Sequence, residues 1–252
     1  MPRSLRIESL GYHHVYNRGV AKGKVFEDEQ DKAKFIELMG NIAREFKFNI
    51  HAFCLMENHY HILLENKREN LSAGMRQLNA QYASYFNKRH DRVGHLWQDR
   101  FKSWYIFDKH HLFKLFKYIE TNPIHAKLIQ NVGEYPYCAS YSILKDAIPL
   151  FLENSFVLRE YNPQELFNAL STPLNETELE HIEALRHTKY KKKEGEIALL
   201  HVKPLAEYFL HVTHKTARNN AIKEAYHDGY TKSEIARYLH LSPAGVCKIF
   251  KS

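Results

Sequence analysis

Two apolar runs, Phe48 to Met56 and Tyr60 to Glu65, are separated only by the polar pair Glu57-Asn58. Strand-length apolar segments joined by so short a polar break predict a hairpin, and a hairpin fixes two antiparallel neighbours at once. Around it the apolar spacing alternates between strand and helix periods. Gly11 to Val20 reads as a first strand ending in a glycine turn, and Asp28 to Phe46 then places Phe35, Leu38, Ile42 and Phe46 at helical steps. Leu71 to Arg89 repeats the helical pattern through Leu71, Met75, Leu78, Tyr82, Tyr85 and Phe86. Trp97 to Ile106 is a candidate fourth strand, and Lys109 to Glu120 a third helix, stopped where Asn122-Pro123 breaks the pattern. The order strand, helix, strand, strand, helix, strand, helix predicts an α+β sandwich built on an antiparallel sheet.

The second arm of the hairpin opens with LMENHYHILL, Leu55 to Leu64. A strand sends alternate side chains to opposite faces, so His59 and His61 point one way, and Tyr60 and Ile62 the other. Two imidazoles on one face can hold a metal. A half-buried strand with two polar residues on its wetter face has the same pattern, and with 17 histidines in 252 residues about one such pair arises by chance.

In the third helix, LFKLFKYIETNP, the stripe Leu112, Leu115, Phe116 and Ile119 forms one face, and Tyr118 and Asn122 share an adjacent flank. A tyrosine can attack phosphorus and hold a broken strand as a phosphotyrosine ester. Its hydroxyl ordinarily ionises near pH 10, so the chemistry needs a nearby cation or metal. Asn122 can offer a carbonyl oxygen and the two histidines two nitrogens, three ligands with positions left open for a phosphate oxygen. The plainer reading makes Tyr118 one of 16 tyrosines, capping the edge of a core.

With 44% hydrophobic residues the chain can bury a core, and a net charge of +7 at pI 9.1 makes polyanions the first partner to consider. No run of 18 apolar residues and no amino-terminal export pattern is present, since MPRSLRIESLGYHH turns polar at once, so the cytoplasm is expected and no membrane partner. Cys54, Cys138 and Cys247 are far apart and without CxxC pairing, which argues against a disulfide framework or a zinc finger. Between Arg76 and Tyr105 basic residues are interleaved with aromatic rings, the combination that single-stranded DNA binding needs, although most of those rings are expected in the core. Arg100 and Lys102 are the DNA contacts expected there.

Beyond about Tyr141 the pattern turns helical, and the basic run Lys189 to Lys193 reads as a solvated linker or helix end. Residues 221–250 then read as a helix-turn-helix. Thr231 caps a helix with Glu234 at the capping-box position, Ile235, Ala236 and Leu239 give it an apolar face, and Ser242-Pro243 opens a second helix packed through Val246 and Ile249. The small Ala236 allows close approach, and the second helix would present Ala244, Gly245 and Lys248 to a major groove. An ordinary helical hairpin is the alternative. The expected organisation is residues 1–145 as an α+β domain, 146–212 as a helical linker region and 213–252 as a DNA-binding domain.

Taken in order, HVYNRG from His14, MENHYHILLE around the histidine pair, GHLWQDRFKS from Gly94 and KYIETNPIHA from Lys117 resemble the REP-associated tyrosine transposases. These are single-tyrosine HUH transposases, with an insertion-sequence branch of close relatives, and the resemblance spans roughly residues 5–145. It implies a ferredoxin-like antiparallel sheet with helices on one side, and a nuclease dependent on a divalent metal, Mg²⁺ or Mn²⁺. The implied substrates are single-stranded or hairpin DNA from repetitive extragenic palindromes, cleaved and rejoined through a 5′-phosphotyrosine link. His59 and His61 fall on the metal-binding pair, Tyr118 on the nucleophile and Asn122 on the position that completes the metal site. The resemblance departs at Glu57, where relatives commonly carry proline. It further implies a place in the nucleoid and leaves monomer and homodimer both open. The competing readings are a DNA-binding regulator of the same fold without catalysis, and a metal-dependent phosphate-ester hydrolase without a covalent step.

Overall fold

The computed structural model describes residues 7–187, 189–193, 196–200 and 203–250, with the backbone alone from 184 to 200. The chain forms two compact units that divide between residues 185 and 186, inside the stretch expected as a linker. In the first unit β1 (Gly11–Arg18), β2 (Phe48–Met56), β3 (His59–Asn66) and β4 (Lys102–Ile106) form one sheet in the order β2-β3-β1-β4, each neighbour antiparallel. Helix α1 (Glu29–Phe46) connects β1 to β2, Glu57-Asn58 make the hairpin turn, and α2 (Leu71–Arg89) connects β3 to β4. This is the ferredoxin-like arrangement of an α+β domain.

The local reasons are those of the sequence. The Asp28 carboxylate accepts from the Asp31 N–H at 3.1 Å, and acidic residues in the first turn suit the positive end of α1. Phe35, Leu38, Met39 and Ile42 supply its buried stripe, and Lys47, at φ 59°, ends it. In α2, Gly74 lets the helix lie on the hairpin: a Cβ there would meet the Phe48 ring at 2.6 Å. Tyr60 turns toward these two helices, fully buried, its ring 4.8 Å from Phe35 and its hydroxyl 3.1 Å from Asn79 Oδ1. Burying rings such as Phe35 and Tyr60 contributes roughly 1.5–3 kcal/mol each.

Helix α3 (Leu112–Glu120) packs against β2 and β3 on the other face, the one His61 occupies. Asn122-Pro123, expected only to end that helix, opens the further turn α4 (Asn122–His125), because proline at the first positions of a helix loses no hydrogen bond. Trp97 to Phe101 stays outside β4: Trp97 makes a single bridge to Gly19 and donates its indole N–H to Asn79 O at 2.9 Å. Helices α5 (Ala139–Leu144), α6 (Phe156–Glu160), α7 (Pro163–Ser171) and α8 (Glu176–His187) follow.

In the second unit the basic run is a strand rather than a linker or helix end: β5 (Lys189–Lys193) pairs antiparallel with β6 (Glu196–Leu200). A charge run carries no period, and its strand partner, Ile197 to Leu200, is the segment with β character. Then come α9 (Leu205–Phe209), α10 (Lys215–His227), α11 (Lys232–Tyr238) and α12 (Pro243–Lys248). Thr231 and Glu234 make a reciprocal capping box at 3.1 and 2.7 Å, and Ser242 Oγ accepts from Gly245 N at 3.0 Å. Ile222, Ala225, Ile235, Ala236 and Val246 form a separate small core.

Candidate active site

The antiparallel register of β2 and β3 sets His59 opposite Met56 and His61 opposite Cys54, so both imidazoles leave the same face of the sheet. Their ring centroids are 5.1 Å apart and their planes perpendicular. Each has its proximal nitrogen tied back. His59 Nδ1 donates to Asn58 Oδ1 at 2.6 Å, and His61 Nδ1 lies 2.9 Å from His14 Nε2 on the neighbouring strand β1. A histidine anchored through Nδ1 presents Nε2 outward, the orientation in which metal-binding histidines are held. Burial pushes His59 down to about 4, helped by the nearby Arg18 guanidinium, so its ring is neutral and able to coordinate at physiological pH.

Across from the pair, α3 brings Tyr118 over the sheet: its ring lies 6.3 Å from His61, edge to face, half-buried and packed against the core. Asn122 stands one turn later. Its amide nitrogen donates to Tyr118 O at 2.7 Å and Ile119 O at 3.3 Å, which closes the end of α3. Among the described residues no group of three or more His, Cys, Asp and Glu could hold a metal ion. The donors present are instead the two imidazoles and the amide oxygen of Asn122, types that suit a divalent ion with positions left open for phosphate or water. The Glu57 carboxylate pairs with Lys24 at 3.4 Å.

Of the expected DNA contacts, Lys102 opens β4 beside Tyr16, its ammonium 5.6 Å from that ring, while Arg100 lies exposed in the loop before it. Ala244 and Lys248 are exposed on α12 of the second unit, and Gly245 is half-buried. Sequence reasoning missed His14 and Arg18 of β1. They stand opposite Leu63 and His59 on β3, a register no periodicity reveals; their one signal was the segment HVYNRG.

The family model described as transposase IS200 like matches residues 7–122, just under half of the chain and including all four candidate residues, so the likeness lies in the sheet unit. Among solved structures, the REP-associated tyrosine transposase bound to a REP hairpin is 16% identical, with a TM-score of 0.48 over 62% of this chain and 93% of that one. A putative transposase from Deinococcus radiodurans R1 is 16% identical, with a TM-score of 0.34 over 48% and 97%. The tRNA(His) guanylyltransferase of Saccharomyces cerevisiae is 10% identical, with a TM-score of 0.39 over 82% and 95%. Likenesses this slight bear on neither mechanism nor partner. No curated protein matches the chain. Among the described residues no helix is long and apolar enough to cross a membrane.

Proposed function

We propose that the sheet unit is a metal-dependent single-strand DNA endonuclease and transposase that cuts and rejoins DNA at repeat hairpins through Tyr118. The observation that carries the proposal is the meeting of Tyr118 with His61, one of two neighbouring histidines whose proximal nitrogens are anchored. His59, His61 and Asn122 would hold a divalent ion, which supplies charge stabilisation for the phosphate oxygens. The Tyr118 oxygen attacks the scissile phosphorus in line, the bond from phosphorus to the 3′ oxygen breaks, and the 3′-hydroxyl leaves carrying a proton. The 5′ phosphate stays on Tyr118 as an ester, so attack by a 3′-hydroxyl reverses the step without ATP. Arg18, exposed at the end of β1 opposite His59, would set a fixed positive charge beside a phosphate held there. The helix-turn-helix of the second unit would hold duplex DNA through α12.

Labelled single-stranded hairpins from the repeats flanking the gene, incubated with Mn²⁺, Mg²⁺ or chelator and run on denaturing gels, test this. A metal-dependent covalent adduct lost in Tyr118→Phe is expected. Adduct retained in that variant removes Tyr118 as the nucleophile, and tight binding without adduct or cleavage favours a regulator.

A further inference from the structure

The candidate site occupies one row of the sheet, and that row continues beyond it. Cys54 of β2, His61 of β3, Tyr16 of β1 and Lys102 of β4 are paired in register across the sheet, so their side chains share a face. In the next row on that face, Leu63, His14 and Trp104 are paired likewise. Tyr16 therefore stands between the histidine pair and the outer strand. Its ring stacks on His61 at 5.9 Å and 22°, and lies 5.0 Å from the Trp104 ring. Trp104 in turn stands edge-on over His14 at 4.5 Å. Both rings are half-buried. Lys102 is exposed at the rim with its ammonium 5.6 Å from the Tyr16 ring centre, and Arg18 is exposed two residues along β1.

We propose that Tyr16 and Trp104, with Lys102 at their edge, form a stacking platform that holds an unpaired nucleobase of the DNA strand next to the scissile phosphate. The inference rests on the reading that this face takes single-stranded DNA, and adds which residues grip it. Two adjoining rings on a sheet offer a base a π-face whatever its identity, and a cation beside them takes the adjoining phosphate. The platform would thus position any base, leaving sequence choice to other contacts. Because Tyr16 also touches His61, a base seated there brings its phosphate toward the histidine pair.

The test is binding of the flanking-repeat hairpins in chelator, where no cleavage occurs, with one nucleotide at a time replaced by an abasic residue. The wild type is expected to lose about ten-fold in affinity at one or two adjacent positions next to the cut, within the range for one stacked base. Tyr16→Ala with Trp104→Ala should bind more weakly and show no further loss at those positions, as a shared interaction requires. Tyr16→Phe with Trp104→Phe, which keeps the rings, should behave as the wild type. Tryptophan fluorescence of the unaltered protein gives the same answer without substitution: quenching by the intact strand that is absent with the abasic one. Equal abasic losses in wild type and alanine variant, or quenching unaffected by removal of the base, overturns the platform while a metal-dependent adduct still upholds the nuclease. Failure of the wild type to bind any single strand overturns both.

Discussion

At the scale of single residues, the contact of His14 with His61 decides which nitrogen His61 can offer. For His61 to present the Nε2 lone pair, the proton of the 2.9 Å contact must sit on His61 Nδ1 and His14 Nε2 must accept it. Under the proposed function His14 would be a positioning residue, buried and placed by β1 alone. Replacement by phenylalanine keeps the ring packing toward Trp104 and removes the acceptor; replacement by glutamine keeps an acceptor. Loss of such an outer partner typically weakens a metal site by about 10- to 100-fold. The Mn²⁺ concentration for half-maximal adduct yield should accordingly rise by that factor in His14→Phe, with the yield recovered at high metal, and change little in His14→Gln. Identical metal titrations for the wild type and His14→Phe would remove His14 from the site.

At the scale of elements, the strands carry two histidines that the chemistry does not use. His13 of β1 donates Nε2–H to Ser9 O at 2.9 Å, and His51 of β2 accepts from Phe156 N at 3.2 Å. Burial pushes both down to about 4. Between pH 4 and 6.5 the unfolded chain therefore binds more protons than the folded one, and stability is full above pH 6.5 and lost as pH falls toward 4. Each histidine accounts for on the order of 3 kcal/mol over the whole window. Glu120, at the end of α3, opposes them: fully buried and accepting from Ser140 N at 2.7 Å, it is pushed up to about 7 by burial, so its contribution declines as pH rises from 4.5 to 7. His13→Gln preserves a donor to Ser9 and does not titrate. Its thermal midpoint should fall several degrees less than that of the wild type between pH 6.5 and 4.5, whereas Glu120→Gln should steepen the fall. Superimposable profiles for the wild type and His13→Gln would show that His13 is not held neutral. The same elements explain what could be read in advance. The hairpin and α2 were legible because apolar period and turn residues act locally, and the shared face of His59 and His61 and the side of α3 that carries Tyr118 because spacing on one strand and one helix fixes direction. His14, Tyr16 and Arg18 were not, because their place at the site depends on β1 lying between β3 and β4. The strand at Lys189 to Lys193 was hidden for a related reason, its pairing being set by the segment that follows.

At the scale of the whole molecule, the proposed function assigns strand cutting to the sheet unit and duplex binding to α12 of the second unit. α12 tests that division of labour. Ala244 sits exposed in its first turn, and Lys248 is exposed at its end. Ala244→Glu places a carboxylate at the positive end of a helix, where it is tolerated or slightly stabilising, and touches neither Val246 nor the rest of the small core. On a surface that faces phosphates, the same carboxylate repels. The full-length variant should keep the wild-type thermal midpoint and the wild-type yield of hairpin adduct, while its affinity for duplex DNA drops ten-fold or more at moderate salt. Lys248→Ala should weaken duplex binding across sequences and lower the slope of log affinity against log salt by about one, the signature of a lost phosphate contact. Were duplex affinity and salt slope unchanged in both, α11 and α12 would be an ordinary helical hairpin, and the DNA contacts would belong to the sheet unit alone. A fall in adduct yield together with duplex binding would instead mean that cutting depends on the grip.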